Sequence, residues 1–181
     1  LPISLLKRSL KKEIDILEYA MKIITENKVE KSNYDKNNHF SSSYKLVKNL
    51  KNLLLMYFGK SALHFGEKIK VEQEIMMNIA DVIISIYVIE SSLKRCEKVY
   101  ASTQNDILLD ISKSVLHYNL FSIRESMTEC ISSFMKDKEL SESLDLIENT
   151  LRFNTFNIKD INRRIADYFL ERKTYKIFDN F

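Results

Sequence analysis

The sequence predicts an all-α fold: a helical bundle of long antiparallel helices with a short N-terminal helical arm. Three observations carry that prediction. First, the chain has only 2 Gly and 1 Pro in 181 residues, whereas turn-rich β architectures need far more of both at their corners. Second, 45% hydrophobic and 29% charged residues make a globular balance, and the length suffices for one domain with a real core. Third, between Val71 and Tyr100 the apolar residues Ile75, Ile79, Val82, Ile86, Ile89, Leu93 and Cys96 are spaced by steps of four and three. That spacing lays one stripe along a single long helix, the pattern of a seam between packed helices. No Gly or Pro interrupts it.

The other elements follow in order. Leu1 to Leu10 reads as a short helix with Pro2 in its first turn, apolar through Leu5, Leu6 and Leu10 and basic through Lys7, Arg8, Lys11 and Lys12. A second runs from about Ile14 to Thr25, with Ile14, Leu17, Met21 and Ile24 inward. A stretch rich in Asn, Lys, Asp and Ser then divides the chain into an arm of residues 1–27, a polar loop of 28–40 and a bundle of 41–181. The third helix starts near Ser42, with Ser41, Ser42 and Ser43 as capping hydroxyls, and runs to about Gly66, a C-cap. Its inner face is Leu46, Leu50, Leu53, Leu54, Tyr57 and Phe58, and Gly59 permits close helix approach.

The fourth helix is the Val71–Tyr100 stretch. The fifth follows a capping-box-like pairing of Thr103 with Asp106. Ile107, Leu108, Ile111, Val115, Tyr118, Ile123, Met127, Ile131 and Phe134 carry it to about Met135. A sixth spans roughly Leu140 to Arg152. Asn157 caps a seventh, which runs to about Arg172 with Ile158, Ile161, Ile165 and Phe169 inward. The aromatic tail from Tyr175 to Phe181 either docks or frays.

The chemistry on offer is sparse. A formal charge of +3, from 28 basic and 25 acidic residues, is too balanced to argue for nucleic acid. Cys96 and Cys130 sit in apolar helical settings and read as buried thiols rather than a disulfide. His39, His64 and His117 lack a second ligand at helical spacing, so no metal residue is assigned. There is no nucleophile motif and no Gly-rich phosphate loop. Glu72, Glu74 and Glu90 read as solvated charges. Asp81, between Ala80 and Val82, reads as a partner in an ion pair across a helix interface, with a general base as the other reading. Lys45, Lys48, Lys51 and Lys60, with the basic residues Lys7, Arg8, Lys11 and Lys12, form either a solvated face, the favoured reading, or a patch for anionic lipid or nucleic acid. No secretory leader or 18-residue apolar run is visible. The start at Leu1 rather than Met points to a piece of a longer protein or a processed start.

Three segments, in order, resemble the C-terminal helical extension of acyl-CoA dehydrogenases of the very-long-chain type and their bacterial relatives. They are LLKRSLKKEIDILEYAMKI at Leu5 to Ile23, FGKSALHFGEKIKVEQEIMMNIADVIISIYVIESSLKRCEKV at Phe58 to Val99, and NIKDINRRIADYFLERKTY at Asn157 to Tyr175. The EQEIMMNIAD run followed by IYVIESSLKR is the most specific part of the second, and the third carries the RRIAD element at Arg163 to Asp167. The fifth helix matches only in length and polarity, and the polar loop has no counterpart.

The resemblance implies a parent flavoenzyme of fatty-acid β-oxidation that oxidises acyl-CoA thioesters, with FAD accepting hydride. It places the dehydrogenase core before Leu1. It implies an accessory domain that packs on that core and aids subunit or membrane association. Catalytic, cofactor and metal residues have no matching positions here, so the resemblance implies that FAD belongs to the parent and is not held by this chain. The positions it carries over are structural: Gln73, Glu74, Asp81, Tyr87, Glu90, Arg95, Arg163, Arg164 and Asp167. The expected partners are the dehydrogenase core, a second copy and a membrane surface, and not nucleic acid. The expected setting is the bacterial cytoplasm, soluble or membrane-peripheral, with the mitochondrion as the alternative. The rival readings are a free-standing helical protein-interaction module and an enzyme with its own helical site.

Overall fold

The computed structural model describes residues 2–26, 39–152, 156–173 and 177. The regular structure of these residues is entirely helical. Helices α1 (Pro2–Leu10) and α2 (Ile16–Glu26) form the arm. Helices α3 (Ser41–Phe65), α4 (Gln73–Thr103), α5 (Ile107–Ser132), α6 (Asp137–Leu151) and α7 (Ile158–Arg172) form the bundle, with a 3₁₀ turn at Gly66–Lys70 that the sequence pattern did not signal. Residues 28–38 of the polar loop, with Asn27 before them, lie outside the described residues. So does the aromatic tail apart from Ile177, which is half-buried against the main core.

The α4 stripe is the seam it was expected to be: Ile75, Ile79, Val82, Ile86, Ile89, Leu93 and Cys96 are all 4% exposed or less. Helix α5 folds back along α4 after a connection of three residues, and the two make the most extensive helix pair in the bundle. Helix α3 packs across α4 and also meets α2 and α6, so its buried residues face several directions. The arm joins the core. Leu6 packs with Phe58, Ile69, Ile75, Met76, Ile79 and Cys130, and Ile3, Ile16 and Leu17 lie against that cluster.

At Gly59, α2 and α3 approach closely. A Cβ there would sit 3.0 Å from Ala20 Cβ and 3.2 Å from Ile24 Cδ1, so a larger residue would push α2 away. Gly66 caps α3 at φ 51°, its N–H donating to Ala62 O. Asn157 caps α7 by accepting from Asp160 N at 3.3 Å.

Four local expectations are corrected. In α2, Met21 is 41% exposed rather than inward, and Ala20 and Ile23 take the buried positions. The N-cap of α3 is Phe40, not a serine. Phe40 is buried edge-on to Tyr100, which draws the helix start back one residue and places Ser42 and Ser43 inside it, both buried. Thr103 does not open α5. It ends α4, its hydroxyl donating to Val99 O at 2.8 Å, while Asn105 Oδ1 accepts from Ile107 N at 3.2 Å at the start of α5. Tyr118 is 56% exposed rather than inward, and Leu116 and Leu120 take the buried positions. Helix α5 lies between α4 and α7, so one apolar stripe does not describe it.

Two packing predictions follow from these contacts. Gly59→Val should lower stability by about 1–3 kcal/mol through overpacking, read as a reduced urea midpoint with an unchanged m-value. Tyr57, buried in α3, donates its hydroxyl to Ser143 O of α6 at 2.9 Å. Tyr57→Phe should cost about 1 kcal/mol in the same measurement.

Candidate interaction surface

One void among the described residues is too small for a ligand. It lies between α3, α4 and α5, is lined by Leu54, Tyr57, Ile79, Val82, Met127 and Cys130, and measures ≈ 10 Å³. That holds one water at most, against roughly 300 Å³ or more for a small-molecule site. Cys130 and Cys96 are free and buried. Burial pushes the Cys96 thiol up to about 11 and the Cys130 thiol up to about 12, which makes both unreactive near neutrality. The histidines lie apart on ring contacts: His39 against Tyr100, His64 against Phe65 and Phe134, His117 against Tyr118 and Phe121. Among the described residues no three His, Cys, Asp or Glu side chains come together as a metal site.

Most positions singled out by resemblance lie on the surface: Gln73, Glu74, Asp81, Tyr87, Arg163, Arg164 and Asp167 are exposed, while Glu90 and Arg95 are half-buried. Asp81 does not form the interface ion pair expected of it. The seam runs through Ile79, Val82 and Ile86, and the 100° helical step turns Asp81 to the outer face of α4. On that face it sits among Met77 (65% exposed), Ile84 (54%), Tyr87 (69%) and Val88 (37%). By length and composition α4 could cross a membrane, with mean hydropathy 1.5 over an 18-residue window, but its inner half is the seam of the bundle core.

Glu90 is likewise not a solvated charge. Lys51 of α3 donates to its Oε2 at 2.7 Å, and Lys94 lies 3.0 Å from its Oε1. Those two lysines, Lys51 foremost, hold the Glu90 carboxyl below its usual range. Lys60 reaches Glu139 of α6 at 3.0 Å. The lysines of α3 are thus partly spent on neighbouring helices rather than gathered as a patch.

Arg164 clamps α7 to α5, donating to both carboxylate oxygens of Asp110 at 2.7 and 2.9 Å. That contact raises the Arg164 guanidinium above its ordinary value. Beside it, Ser114 donates to Asn162, and Asn162 donates to Tyr118. Sequence reasoning singled out Arg164 but missed Asp110, which sits in the apolar run Ile107 to Ile111 and is buried. The run itself was the available signal. Only the docking of α7 shows why a carboxylate belongs there.

A family model for the acyl-CoA dehydrogenase C-terminal domain matches residues 49–148. That span runs from the middle of α3 to the last turn of α6 and contains the whole α4–α5 hairpin. The chain belongs to the acyl-CoA dehydrogenase C-terminal domain family. It is 24% identical over 182 aligned residues to a probable acyl-CoA dehydrogenase of Bacillus subtilis (strain 168), covering 97% of this chain and 30% of that protein. It also superimposes on a crystal structure of acyl-CoA dehydrogenase complexed with FAD from Bacillus anthracis, with a TM-score of 0.85 and 26% identity. That match again covers 97% of this chain and 30% of the other. This acyl-CoA dehydrogenase C-terminal domain thus spans under a third of the relatives it matches.

The Glu90 pair gives a pH test of the α3–α4 contact in this domain. Its carboxyl is depressed in the folded state, so its contribution is present above the unfolded carboxyl value of about 4.3 and lost as pH falls through the lower folded value. Glu90→Gln should cost less than about 1 kcal/mol at neutral pH, as expected of a partly exposed pair. It should also flatten the fall in stability on acidification, measured by urea titration at stepped pH.

Proposed function

We propose that this chain is the C-terminal accessory helical domain of an FAD-dependent acyl-CoA dehydrogenase, packing on the catalytic core without catalysing alone. One observation carries the reading: the overlay of 97% of the chain on 30% of an FAD-complexed acyl-CoA dehydrogenase. In that reading the remaining part of the parent supplies the flavin and the acyl-CoA site, and this bundle supplies surface. The packed interior between α3, α4 and α5, with space for no more than a water, supports a structural role.

Subunit association and peripheral membrane contact are the finer parts of the proposal. Membrane contact would fall to α1 and the turn that follows it, where Lys7 and Leu10, then Lys11 and Lys12, are exposed. The exposed apolar face of α4 also fits a free-standing interaction module, the second reading.

Two experiments decide between these readings. The purified 181-residue chain should be strongly helical by circular dichroism, yet show no stoichiometric flavin spectrum and no oxidation of acyl-CoA. A bound flavin would refute the accessory role. The DNA immediately upstream of the Leu1 codon should carry an in-frame dehydrogenase core. A stop codon with no such frame would favour the free-standing module.

A further inference from the structure

Helix α7 is attached differently from the rest of the bundle, and we propose that it is a detachable strap: it opens from α5 as one unit while α1–α6 stay folded. Of its 15 residues only Ile161 is buried, and Ile158, Ile165, Tyr168 and Phe169 are half-buried. It packs along α5, with no comparable packing on another described helix. Helix α6 has the same length, but it buries Ser143, Ile147, Thr150 and Leu151 and packs on both α3 and α5.

Polar links supply most of the attachment of α7. Asn105 Nδ2 donates to Tyr168 Oη at 2.7 Å, and Arg164 forks onto Asp110. Ser114 Oγ donates to Asn162 Oδ1 at 2.9 Å, and Asn162 Nδ2 donates to Tyr118 Oη at 2.8 Å. The 100° helical step puts Arg164 and Asn162 on opposite sides of Ile161, so the links flank the one buried apolar anchor. Such links respond to opening unlike an apolar seam. A hydrogen bond broken into water is replaced by one to water, so its net contribution is small. Release hydrates the Asp110 carboxylate instead of stranding it, whereas the α4 seam has no substitute for its burial. Release also melts α7, because a 15-residue helix without a packing partner is marginal in water. The strap therefore alternates between a covered α5 face and one on which Asp110, Ser114 and Tyr118 are freed from their α7 partners. This inference goes beyond the accessory role and does not rest on it. The flavin and upstream-frame results leave it untouched, and its failure leaves them untouched.

Hydrogen exchange of the 181-residue chain, read amide by amide by NMR under native conditions, tests the strap. The α7 amides should exchange at one common rate, about tenfold or more faster than those of α4 and α6. Arg164→Gln removes the fork that satisfies Asp110 under a closed α7, so it should raise the α7 rate by about a further tenfold. The buried thiols of Cys96 and Cys130 report opening of the α4–α5 core, and their alkylation rate should not change in that variant. Tyr168→Phe, which removes the link to Asn105 alone, should speed α7 in the same selective way by a smaller factor.

Three results overturn the proposal. One is α7 amides as slow as those of α4 and α6. Another is protection that rises residue by residue inward from Arg172, which is end fraying and not release of a unit. The third is thiol alkylation sped by Arg164→Gln as much as α7 exchange, which makes α7 part of the global unfolding unit.

Discussion

Helix α4 carries more apolar surface than one neighbour can cover. Its seam leaves water only because α5 folds back along it, α3 crosses it, and Leu6 of the arm packs with its first turns. Each buried Ile, Leu or Val is worth about 1.5–3 kcal/mol against exposure, so this shared contact outweighs any single polar interaction in the bundle. The other elements are placed by what the seam leaves to be covered. Helix α2 lies close on α3 at Gly59, α6 closes over α3 through Tyr57, and α7 is held against the far side of α5 by Asp110 and Arg164.

Polar contacts in this protein fix positions more than they supply stability. Lys51–Glu90 and Lys60–Glu139 tie α3 to α4 and α6 at the rim, and such exposed pairs are worth at most about 1 kcal/mol each. The Asp110–Arg164 fork is more consequential, because it satisfies a carboxylate that α7 covers. Together these contacts give one arrangement of helices that would otherwise slide along greasy faces. A bundle with a charged rim is suited to the accessory role proposed above.

The contrast between Asp81 and Asp110 shows where sequence reasoning ran short. Both interrupt apolar runs, and both invite the same reading, a carboxylate paired at an interface. Asp81 turns outward on a helix whose single stripe faces the core, so its run was the outer edge of a long apolar helix. Asp110 turns inward because α5 packs against α7 as well as α4, and the face that carries Asp110 meets α7. Periodicity counts one face well and two faces poorly. The same limit misplaced Tyr118 and passed over Leu116 and Leu120. Thr103 was misread for a different reason: a capping hydroxyl at the end of one helix and at the start of the next looks alike when only three residues separate them.

The amino-acid order alone determined the helical class, the seven helices to within a few residues, the α4 seam, the close approach at Gly59 and the caps at Gly66 and Asn157. These follow from local rules: 3.6-residue periodicity, the scarcity of Gly and Pro, and the few residue types that tolerate a helix end. The quoted runs also carried the family resemblance. Tertiary structure alone decided which carboxylate is buried, which lysines are engaged, that Phe40 rather than a serine starts α3, and that the outer face of α4 stays uncovered within one copy. Those outcomes depend on which helices become neighbours, and contacts between residues far apart in the chain leave no periodic trace in either segment by itself.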